Sequence, residues 1–135
     1  MELAGNVKGK TAIITGSTSG IGLGIAQGFA DSGINIVMNG FGDKDEIEES
    51  RKELEDKGVK AIYHPADMTK PDEIEDLVKT ALDEFDSVDV LVNNAGIQHV
   101  SEIENFPPEK WDAIIAINMS SGFHTIRSLL PKMKE

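Results

Sequence analysis

The sequence predicts an α/β fold with a doubly wound parallel sheet, and three observations support that prediction. Short apolar runs alternate with amphipathic stretches, the runs are rich in branched side chains, and a glycine-rich segment directly follows the first run. This alternation is typical of βαβ units, whose strands are buried on both faces. The chain has 135 residues, of which 39% are hydrophobic, and shows no repeat or linker, so we interpret residues 1–135 as one domain.

Four apolar runs are the predicted strands, and each is short enough for a buried strand. They read TAIIT, INIVM, AIYH and VDVLV, at residues 11–15, 34–38, 61–64 and 88–92. Ligands of open α/β sheets bind beyond the carboxyl ends of the strands. The residues that follow these runs are therefore expected to share one rim of the sheet.

The stretch after the third run is the clearest predicted helix. Apolar residues recur at helical spacing from Ile74 to Phe85 and form one continuous stripe. Pro71 precedes the stripe, where its missing N–H costs a helix little. Thr69 with Asp72 three residues later resembles a capping box. We therefore predict a helix that begins in this segment and covers the sheet.

A second helix is predicted over residues 44–57, after the second run. Acidic residues gather in its first turn and Lys52 and Lys57 lie late, which favours both ends of the helix dipole. Gly58 is the predicted C′ residue, because glycine readily takes the left-handed conformation that ends many helices. The helix after the first run is expected to end at Gly33.

The segment TGSTSGIG, after the first run, places three glycines at a strand-to-helix turn. Free backbone N–H groups and the positive end of the helix dipole meet there, so a pyrophosphate can bind if no side chain blocks it. In this interpretation Gly16 permits the tight turn, and Gly20 and Gly22 permit close approach of a ligand and a neighbouring strand. Ser17 or Thr18 can donate a hydroxyl. The alternative is a glycine-rich turn that serves packing only.

Two further loops are expected at the same rim. The segment HPADMT, at residues 64–69, contains Asp67 and follows the third run, and NNAG, at residues 93–96, follows the fourth. Taken singly, Asp67 is an ordinary turn or cap residue and NNAG an ordinary turn. Their coincidence with the glycine turn favours a binding site.

Composition excludes several classes of partner and ligand. The net charge of -11 at pH 7 opposes binding to nucleic acid and to anionic membranes. The chain has no cysteine, and His64, His99 and His124 do not stand at metal-site spacing, so no metal is predicted. Residues 1–10 lack the apolar run of a signal peptide, and no stretch approaches the ~20 apolar residues that span a bilayer. We expect a cytoplasmic protein that is not bound to a membrane.

These motifs, together with Asn118 in WDAIIAINMSS, resemble those of the short-chain dehydrogenases/reductases, and the resemblance covers the whole chain. More narrowly, NGFGD at residues 39–43 and NNAGIQHV at residues 93–100 resemble bacterial D-3-hydroxybutyrate dehydrogenases. The resemblance implies a Rossmann-like domain, NAD as cofactor, and hydride transfer between D-3-hydroxybutyrate and acetoacetate.

The resemblance also implies roles for individual residues. Asn118 matches the catalytic asparagine of the family, which keeps a helix open around a water of the proton relay. The alternative for Asn118 is a polar residue that is satisfied within an apolar helix. Gln98 matches a contact with the substrate carboxylate. The implied cofactor-binding residues are Gly16, Ser17, Thr18, Gly20, Ile21, Gly22, Phe41, Asp67, Met68, Asn94, Ala95 and Gly96.

The end of the second run bears on the choice between NAD and NADP. A dinucleotide site usually has an acidic residue there for the ribose 2′-hydroxyl, whereas an arginine accommodates a 2′-phosphate. This chain has Asn39, Gly40 and Phe41 at that place, and its first arginine is Arg51. The lack of a cationic clamp favours NAD, although Lys44 is close in sequence.

The chemistry that the resemblance implies also needs a serine and a tyrosine with a lysine four residues later. The chain has one tyrosine, Tyr63, and Asp67 stands four residues after it. The resemblance therefore implies a sheet truncated after about four strands. Two hypotheses follow: the chain is the cofactor half of a dehydrogenase that another polypeptide completes, or it is a truncated, non-catalytic NAD-binding or interaction module.

Self-association is expected under either hypothesis. A small-molecule substrate is expected only if another polypeptide completes the site. The fourth run would form a sheet edge with unpaired backbone groups. The last helix carries more apolar residues than one buried stripe needs, although some can simply be exposed. These residues are Trp111, Ile114, Ile115, Phe123, Ile126, Leu129, Leu130 and Met133. We expect a homo-oligomer through that helix or that edge.

Overall fold

The computed structural model describes residues 5–135. Residues 1–4, part of the segment assessed for a signal peptide, lie outside the described residues. Four strands form one parallel sheet in the order β3-β2-β1-β4. They are β1 (Thr11–Ile14), β2 (Asn35–Asn39), β3 (Ala61–His64) and β4 (Val90–Val92). The order reverses beside β1, as in a doubly wound sheet, so the predicted fold class is confirmed.

Five α-helices accompany the strands in the described range. They are α1 (Gly20–Asp31), α2 (Lys44–Glu55), α3 (Pro71–Phe85), α4 (Pro108–Ile115) and α5 (Ser121–Met133). A π-helical turn (Ala116–Ser120) joins α4 to α5, and a short 3₁₀ turn (Ile103–Asn105) precedes α4. Within residues 5–135, no helix has both the length and the apolar character needed to cross a bilayer.

The sheet is buried on both faces, as the unbroken apolar runs predict. On one face Ile14 packs in a cluster with Leu54 of α2 and with residues of α1. On the other face Ile13 packs with Ile74 of α3 and Leu129 of α5. Neither Ile13 nor Ile14 is accessible to solvent. Full burial of such a side chain stabilises the fold by roughly 1.5–3 kcal/mol, so β1 is the centre of the core.

The end of α1 follows the prediction, whereas the end of α2 differs from it. Gly33 has a φ of +83°, and the N–H of Ile34 donates to the carbonyl of Phe29 over 3.1 Å, which is a Schellman ending. Helix α2 ends at Glu55, two residues before the predicted end. Gly58 does have a positive φ, of +93°, but it closes a further turn by donating to the Glu55 carbonyl.

The predicted capping box of α3 is wrong. The N-cap residue is Lys70, and Pro71 is the first helical residue. The hydroxyl of Thr69 donates instead to Oδ1 of Asp67 over 2.7 Å, and the N–H of Thr69 donates to the same oxygen over 2.9 Å. The local turn at Asp67 therefore takes the groups that a capping box would have used.

Candidate functional site

The glycine turn after β1 is shaped by contacts that a side chain would block. Gly16 has a φ of +64°, and a Cβ atom there would lie 2.9 Å from the Cα atom of Ala95. A Cβ atom at Gly22 would lie 2.2 Å from the carbonyl oxygen of Gly16. Gly20, with a φ of +57°, has no atom within 4 Å of the corresponding position. Gly16 and Gly22 thus allow close packing, and Gly20 faces open space.

A cavity of about 350 Å³ lies at this turn, within the size range of small-molecule sites. Residues of the turn and of the loops after β2, β3 and β4 contribute to its wall. The lining residues are Gly16, Thr18, Ser19, Ile21, Gly22, Asn39, Gly40, Phe41, Ala66, Met68, Asn94, Ala95, Gly96, Ile97 and Ile117. The structure therefore brings together nine of the twelve predicted cofactor residues. Ser17, Gly20 and Asp67 are not part of the lining.

The N-terminus of α1 opens at this cavity. Its N-cap residue, Ser19, lines the cavity and forms no side-chain hydrogen bond with the first turn in the described structure, and that turn carries no acidic residue. Helix α2 differs, since Oδ1 of Asp43 accepts hydrogen bonds from the N–H groups of Asp45 and Glu46. The first-turn N–H groups of α1 are therefore suited to an anion, whereas those of α2 are already occupied.

The loop after β4 is fixed to the end of β1. The hydroxyl of Thr15 accepts hydrogen bonds from the N–H groups of Asn94 (3.0 Å) and Ala95 (2.9 Å). The side-chain amide of Asn94 donates to the carbonyls of Thr15 (3.1 Å) and Gly16 (3.0 Å). This network holds two walls of the cavity together. Thr15 is not among the predicted site residues, and its one sequence signal is a polar residue at the end of an apolar run.

Asn39, at the end of β2, joins three loops and was not predicted as a site residue. Its side chain is fully buried, its Oδ1 accepts from the N–H of Gly16 (3.3 Å), and its Nδ2 donates to the carbonyls of His64 (3.2 Å) and Ala66 (3.0 Å). The amide has both the donors and the acceptor that these loops need. The polar residue that ends a buried strand was again the only sequence signal.

The predicted ligand contact of the Ser17 hydroxyl is wrong. Ser17 is fully buried, and its hydroxyl donates to the Ile14 carbonyl (2.7 Å) and accepts from the N–H of Asn39 (3.1 Å). Ser17 therefore stabilises the turn from behind. Thr18 lines the cavity, and its hydroxyl donates to the carbonyl of Phe41 over 2.7 Å.

Asp67 forms a turn of its own beside the cavity, where its neighbour Met68 is part of the wall. The two hydrogen bonds from Thr69 lower the pKa of the Asp67 carboxyl, the backbone N–H contributing more than the hydroxyl, since both stabilise the ionised form. The N–H of Asp67 donates to Oε1 of Glu73 in α3 over 3.0 Å. These hydrogen bonds are those of a turn residue, which is the role that the sequence offered for Asp67 as the alternative to ligand binding.

Asn118 lies in the π-helical turn and is paired with both backbone polar groups of Ile97, in the loop after β4. Its Oδ1 accepts from the N–H of Ile97 over 2.8 Å, and its Nδ2 donates to the carbonyl of Ile97 over 2.9 Å. Ile97 lines the cavity, whereas Asn118 and the exposed Gln98 do not. π-Helical turns frequently occur at functional sites, and this one widens the helix at the predicted catalytic residue.

The described residues contain no metal-binding cluster, since no three His, Asp or Glu side chains among residues 5–135 converge on one point. The site therefore consists of a glycine turn, an open helix N-terminus and three strand-end loops. This arrangement can hold an extended ligand that carries a phosphate group.

Comparison with known proteins places this geometry in a family. The family model for short chain dehydrogenase matches residues 10–135. The chain belongs to the short-chain dehydrogenase family. The D-beta-hydroxybutyrate dehydrogenase of Cupriavidus necator is 57% identical over 129 residues, which cover 96% of this chain and 50% of that protein. The protein of the same description in Rhizobium meliloti is 56% identical over 129 residues, 93% of this chain and 49% of that protein.

Solved structures of short-chain dehydrogenases share the fold. The crystal structure of L-sorbose reductase from Gluconobacter frateurii, complexed with NADPH and L-sorbose, matches with a TM-score of 0.89 and 35% identity. The match covers 95% of this chain and 49% of that one. The chain thus spans about half the length of the curated relatives and of the solved structure that it matches, and within that span the Rossmann-like fold is confirmed.

Proposed function

We propose that this chain is the NAD-binding half of an oxidoreductase that interconverts D-3-hydroxybutyrate and acetoacetate. The observation that supports this substrate best is the 57% identity to the D-beta-hydroxybutyrate dehydrogenase of Cupriavidus necator. At this identity, over 96% of the chain, we expect the same class of reaction for the complete enzyme. The net charge of -11 and the lack of cysteine agree with the cytoplasmic location that we propose.

The residues at the cavity fit a dinucleotide. Side chains at Gly16 or Gly22 would collide with backbone atoms, whereas the space above Gly20 is open. In our proposal the first turn of α1, with Ser19 and Ile21, holds the pyrophosphate. Phe41 and Met68 hold the adenosine part, with Asp67 beside it, and Asn94, Ala95 and Gly96 lie along the nicotinamide ribose. Thr18 completes the wall between the pyrophosphate and the adenosine.

NAD, rather than NADP, is the form that we propose for this chain. Among the described residues that line the cavity, none carries a charge. Lys44 lines a different cavity, with Tyr63 and Ile47. A 2′-phosphate would therefore have no cation to pair with inside the cofactor cavity. The sorbose reductase was solved with NADPH, which makes this choice a property to test in each member of the family.

A bound nicotinamide would supply hydride transfer, and the residues of this chain would orient it and the substrate. In our proposal Asn118 fixes the backbone of Ile97, and so the far end of the cavity, through hydrogen bonds to its N–H and its carbonyl. Gln98, next along the loop and exposed, presents its amide to the carboxylate of the substrate. These two residues connect the cofactor cavity to the position that we assign to the substrate.

The general acid must come from outside these 135 residues in our proposal. The one tyrosine, Tyr63, donates its hydroxyl to the carbonyl of Gly40 over 2.5 Å, and Asp67 stands four residues after it. Tyr63 is therefore committed to a structural hydrogen bond. The same observation favours the second candidate function, a non-catalytic NAD-binding or interaction module.

Self-association remains part of the proposal. Strand β4 is an edge of the described sheet. Four apolar side chains of α5 are 41% to 62% exposed at helical spacing, namely Phe123, Ile126, Leu130 and Met133. Leu129 of the same helix is fully buried, so the helix has one face in the core and a second apolar face toward solvent. This second face is the surface that we propose for contact between copies.

The test compares the chain alone with a fused chain. Residues 1–135 should bind NAD in calorimetry, yet form no NADH from NAD and D-3-hydroxybutyrate. Fusion to the remaining half of the Cupriavidus necator relative should restore NADH formation, and Gln98→Ala in the fusion should raise the KM for the substrate. NADH formation by the chain alone would contradict the need for a general acid from outside the chain. A fusion that oxidises another substrate but not D-3-hydroxybutyrate would contradict the proposed substrate.

A further inference from the structure

Two hydroxyl groups hold the loop that follows β2, residues 40–42. They donate hydrogen bonds to the carbonyls of two consecutive residues. The hydroxyl of Tyr63 donates to the carbonyl of Gly40 over 2.5 Å, and the hydroxyl of Thr18 donates to the carbonyl of Phe41 over 2.7 Å. Gly40 and Gly42 have φ values of +146° and +147°, which other residues rarely adopt. Residues from two other parts of the chain therefore bind the backbone of this loop at two consecutive carbonyls.

The loop forms one wall of the cofactor cavity. Gly40 and Phe41 line that cavity, and the ring of Phe41 is 63% exposed. A Cβ atom at Gly40 would lie 2.6 Å from Oγ1 of Thr18, so the loop packs directly on the glycine turn. Tyr63 is not part of this lining and instead lines a second cavity of about 390 Å³. Tyr63 thus supports the wall from behind, without reaching the ligand.

Charge near this wall disfavours a phosphate. Asp43, directly after the loop, places its carboxylate on the N–H groups of Asp45 and Glu46 and so occupies the N-terminus of α2. The nearest lysine in sequence, Lys44, lines the second cavity together with Tyr63. A wall that ends beside a capped, acidic helix start, with no charged residue among the described residues that line the cavity, disfavours a phosphate.

We infer that Tyr63 is a positioning residue, which with Thr18 fixes the loop after β2 so that the site accepts a free ribose 2′-hydroxyl and rejects a 2′-phosphate. This inference rests on the proposed nucleotide site and adds to it a residue that controls the choice between NAD and NADP. Without the Tyr63 hydroxyl the Gly40 carbonyl loses its partner, and the loop can move outward to admit the phosphate. Burial raises the pKa of the Tyr63 phenol, so it is a hydrogen-bond donor at neutral pH.

The experiment uses two ligands that occupy only the adenosine end, 5′-AMP and adenosine 2′,5′-bisphosphate, titrated into the full chain by calorimetry. Wild type should bind 5′-AMP more tightly, and the ratio of the two affinities is the readout. Tyr63→Phe removes one hydroxyl and keeps the ring. We expect it to reduce the ratio by roughly 3-fold to 10-fold, the effect of one hydrogen bond. Thr18→Val should reduce the ratio in the same direction.

Ser101→Ala is the matched control, because its hydroxyl also donates to a loop carbonyl, that of Glu102, over 3.1 Å, and it does not line the cavity. Its ratio should equal that of wild type. Equal ratios in wild type, Tyr63→Phe and Thr18→Val would overturn the inference and leave the nucleotide site standing. Failure of wild type to bind either nucleotide would overturn the proposed function, and the inference with it. If Tyr63→Phe does not fold, the ratio of the two affinities in Thr18→Val tests the inference instead.

Discussion

The Cα atom of Gly22 packs against the carbonyl of Gly16 so closely that a Cβ atom would lie 2.2 Å from the carbonyl oxygen. Gly22 therefore allows the helix to approach the strand, whereas a Cβ atom at Gly20 would meet no atom within 4 Å. From the sequence, both glycines are expected to permit close approach of a ligand and of a neighbouring strand. Of these two glycines, only Gly22 has the packing role in the structure, and this role can be tested by substitution.

Gly22→Ala should destabilise the protein by at least about 2 kcal/mol, because backbone atoms must move to admit the methyl group. Gly24→Ala in the same helix is the control, since Gly24 is exposed and a Cβ atom there meets nothing within 4 Å. We expect Gly24→Ala to stabilise the protein by about 0.5–1 kcal/mol. Urea unfolding measures both values, and an unchanged stability in Gly22→Ala would contradict the observed packing.

Asn39→Asp should lower the free energy of unfolding by at least about 2 kcal/mol, because a carboxylate cannot donate to the carbonyls of His64 and Ala66. Asn35→Asp is the matched change, since Oδ1 of Asn35 accepts from the N–H of Lys60 over 2.9 Å and a carboxylate retains that bond. It should change stability by less than about 0.5 kcal/mol. Similar losses in both variants, by chemical denaturation, would show that Asn39 does not join the loops.

The lowered pKa of the Asp67 carboxyl predicts that the protein loses stability in acid. Its pKa is lowered in the folded protein by the two hydrogen bonds from Thr69, so its contribution is present above the unfolded pKa of about 3.9. That contribution is lost as the pH falls through the lower, folded pKa. Asp67→Asn should therefore flatten the stability curve at acid pH, with a loss at pH 7 of about 0.5–1.5 kcal/mol.

Thr69→Val provides the check on the cause of this shift, because it removes the hydroxyl and keeps the backbone N–H. An NMR titration of the Asp67 carboxyl should give a higher pKa in Thr69→Val than in wild type. A pKa that does not move would mean that the hydroxyl is not the donor that the structure assigns.

Ile126→Lys should shift the chain toward monomer, because the charge enters the exposed apolar face of α5. Val100→Lys is the control, since Val100 is 91% exposed and lies on a loop outside α5. Sedimentation velocity over a range of concentrations measures the association. A wild-type chain that stays monomeric at high concentration, or an equal effect of both lysines, would count against association through α5.

Local sequence signals were sufficient to predict the strands and helices and the rim of the sheet at which the candidate site lies. All four strands begin within two residues of their predicted positions, since apolar period and turn residues are local signals. Local signals did not reveal the roles of Ser17, Asn39 and Tyr63. Each is decided by a hydrogen bond to a residue more than 20 positions away, which depends on the packing of the loops.

The error at the predicted capping box has a local cause. Thr69 has the spacing of a capping box with Asp72, but the carboxylate of Asp67, two residues before it, competes for the same hydroxyl. The π-helical turn around Asn118 leaves no periodic signal, and it is visible only as a widened stretch between α4 and α5. The pattern thus did not reveal the competition at Thr69, and the open helix at Asn118 was implied by the family resemblance and not by the periodicity.

Binding of NAD at the glycine turn is the central claim, and hydrogen exchange of the chain with and without NAD tests it most directly. We predict that saturating NAD slows exchange in residues 16–22, 40–42 and 94–96, the three segments that contribute to the wall of the cavity, and leaves the α5 segment unchanged. Saturating NAD that slows no amide in these three segments, or that protects a different surface, would contradict the account.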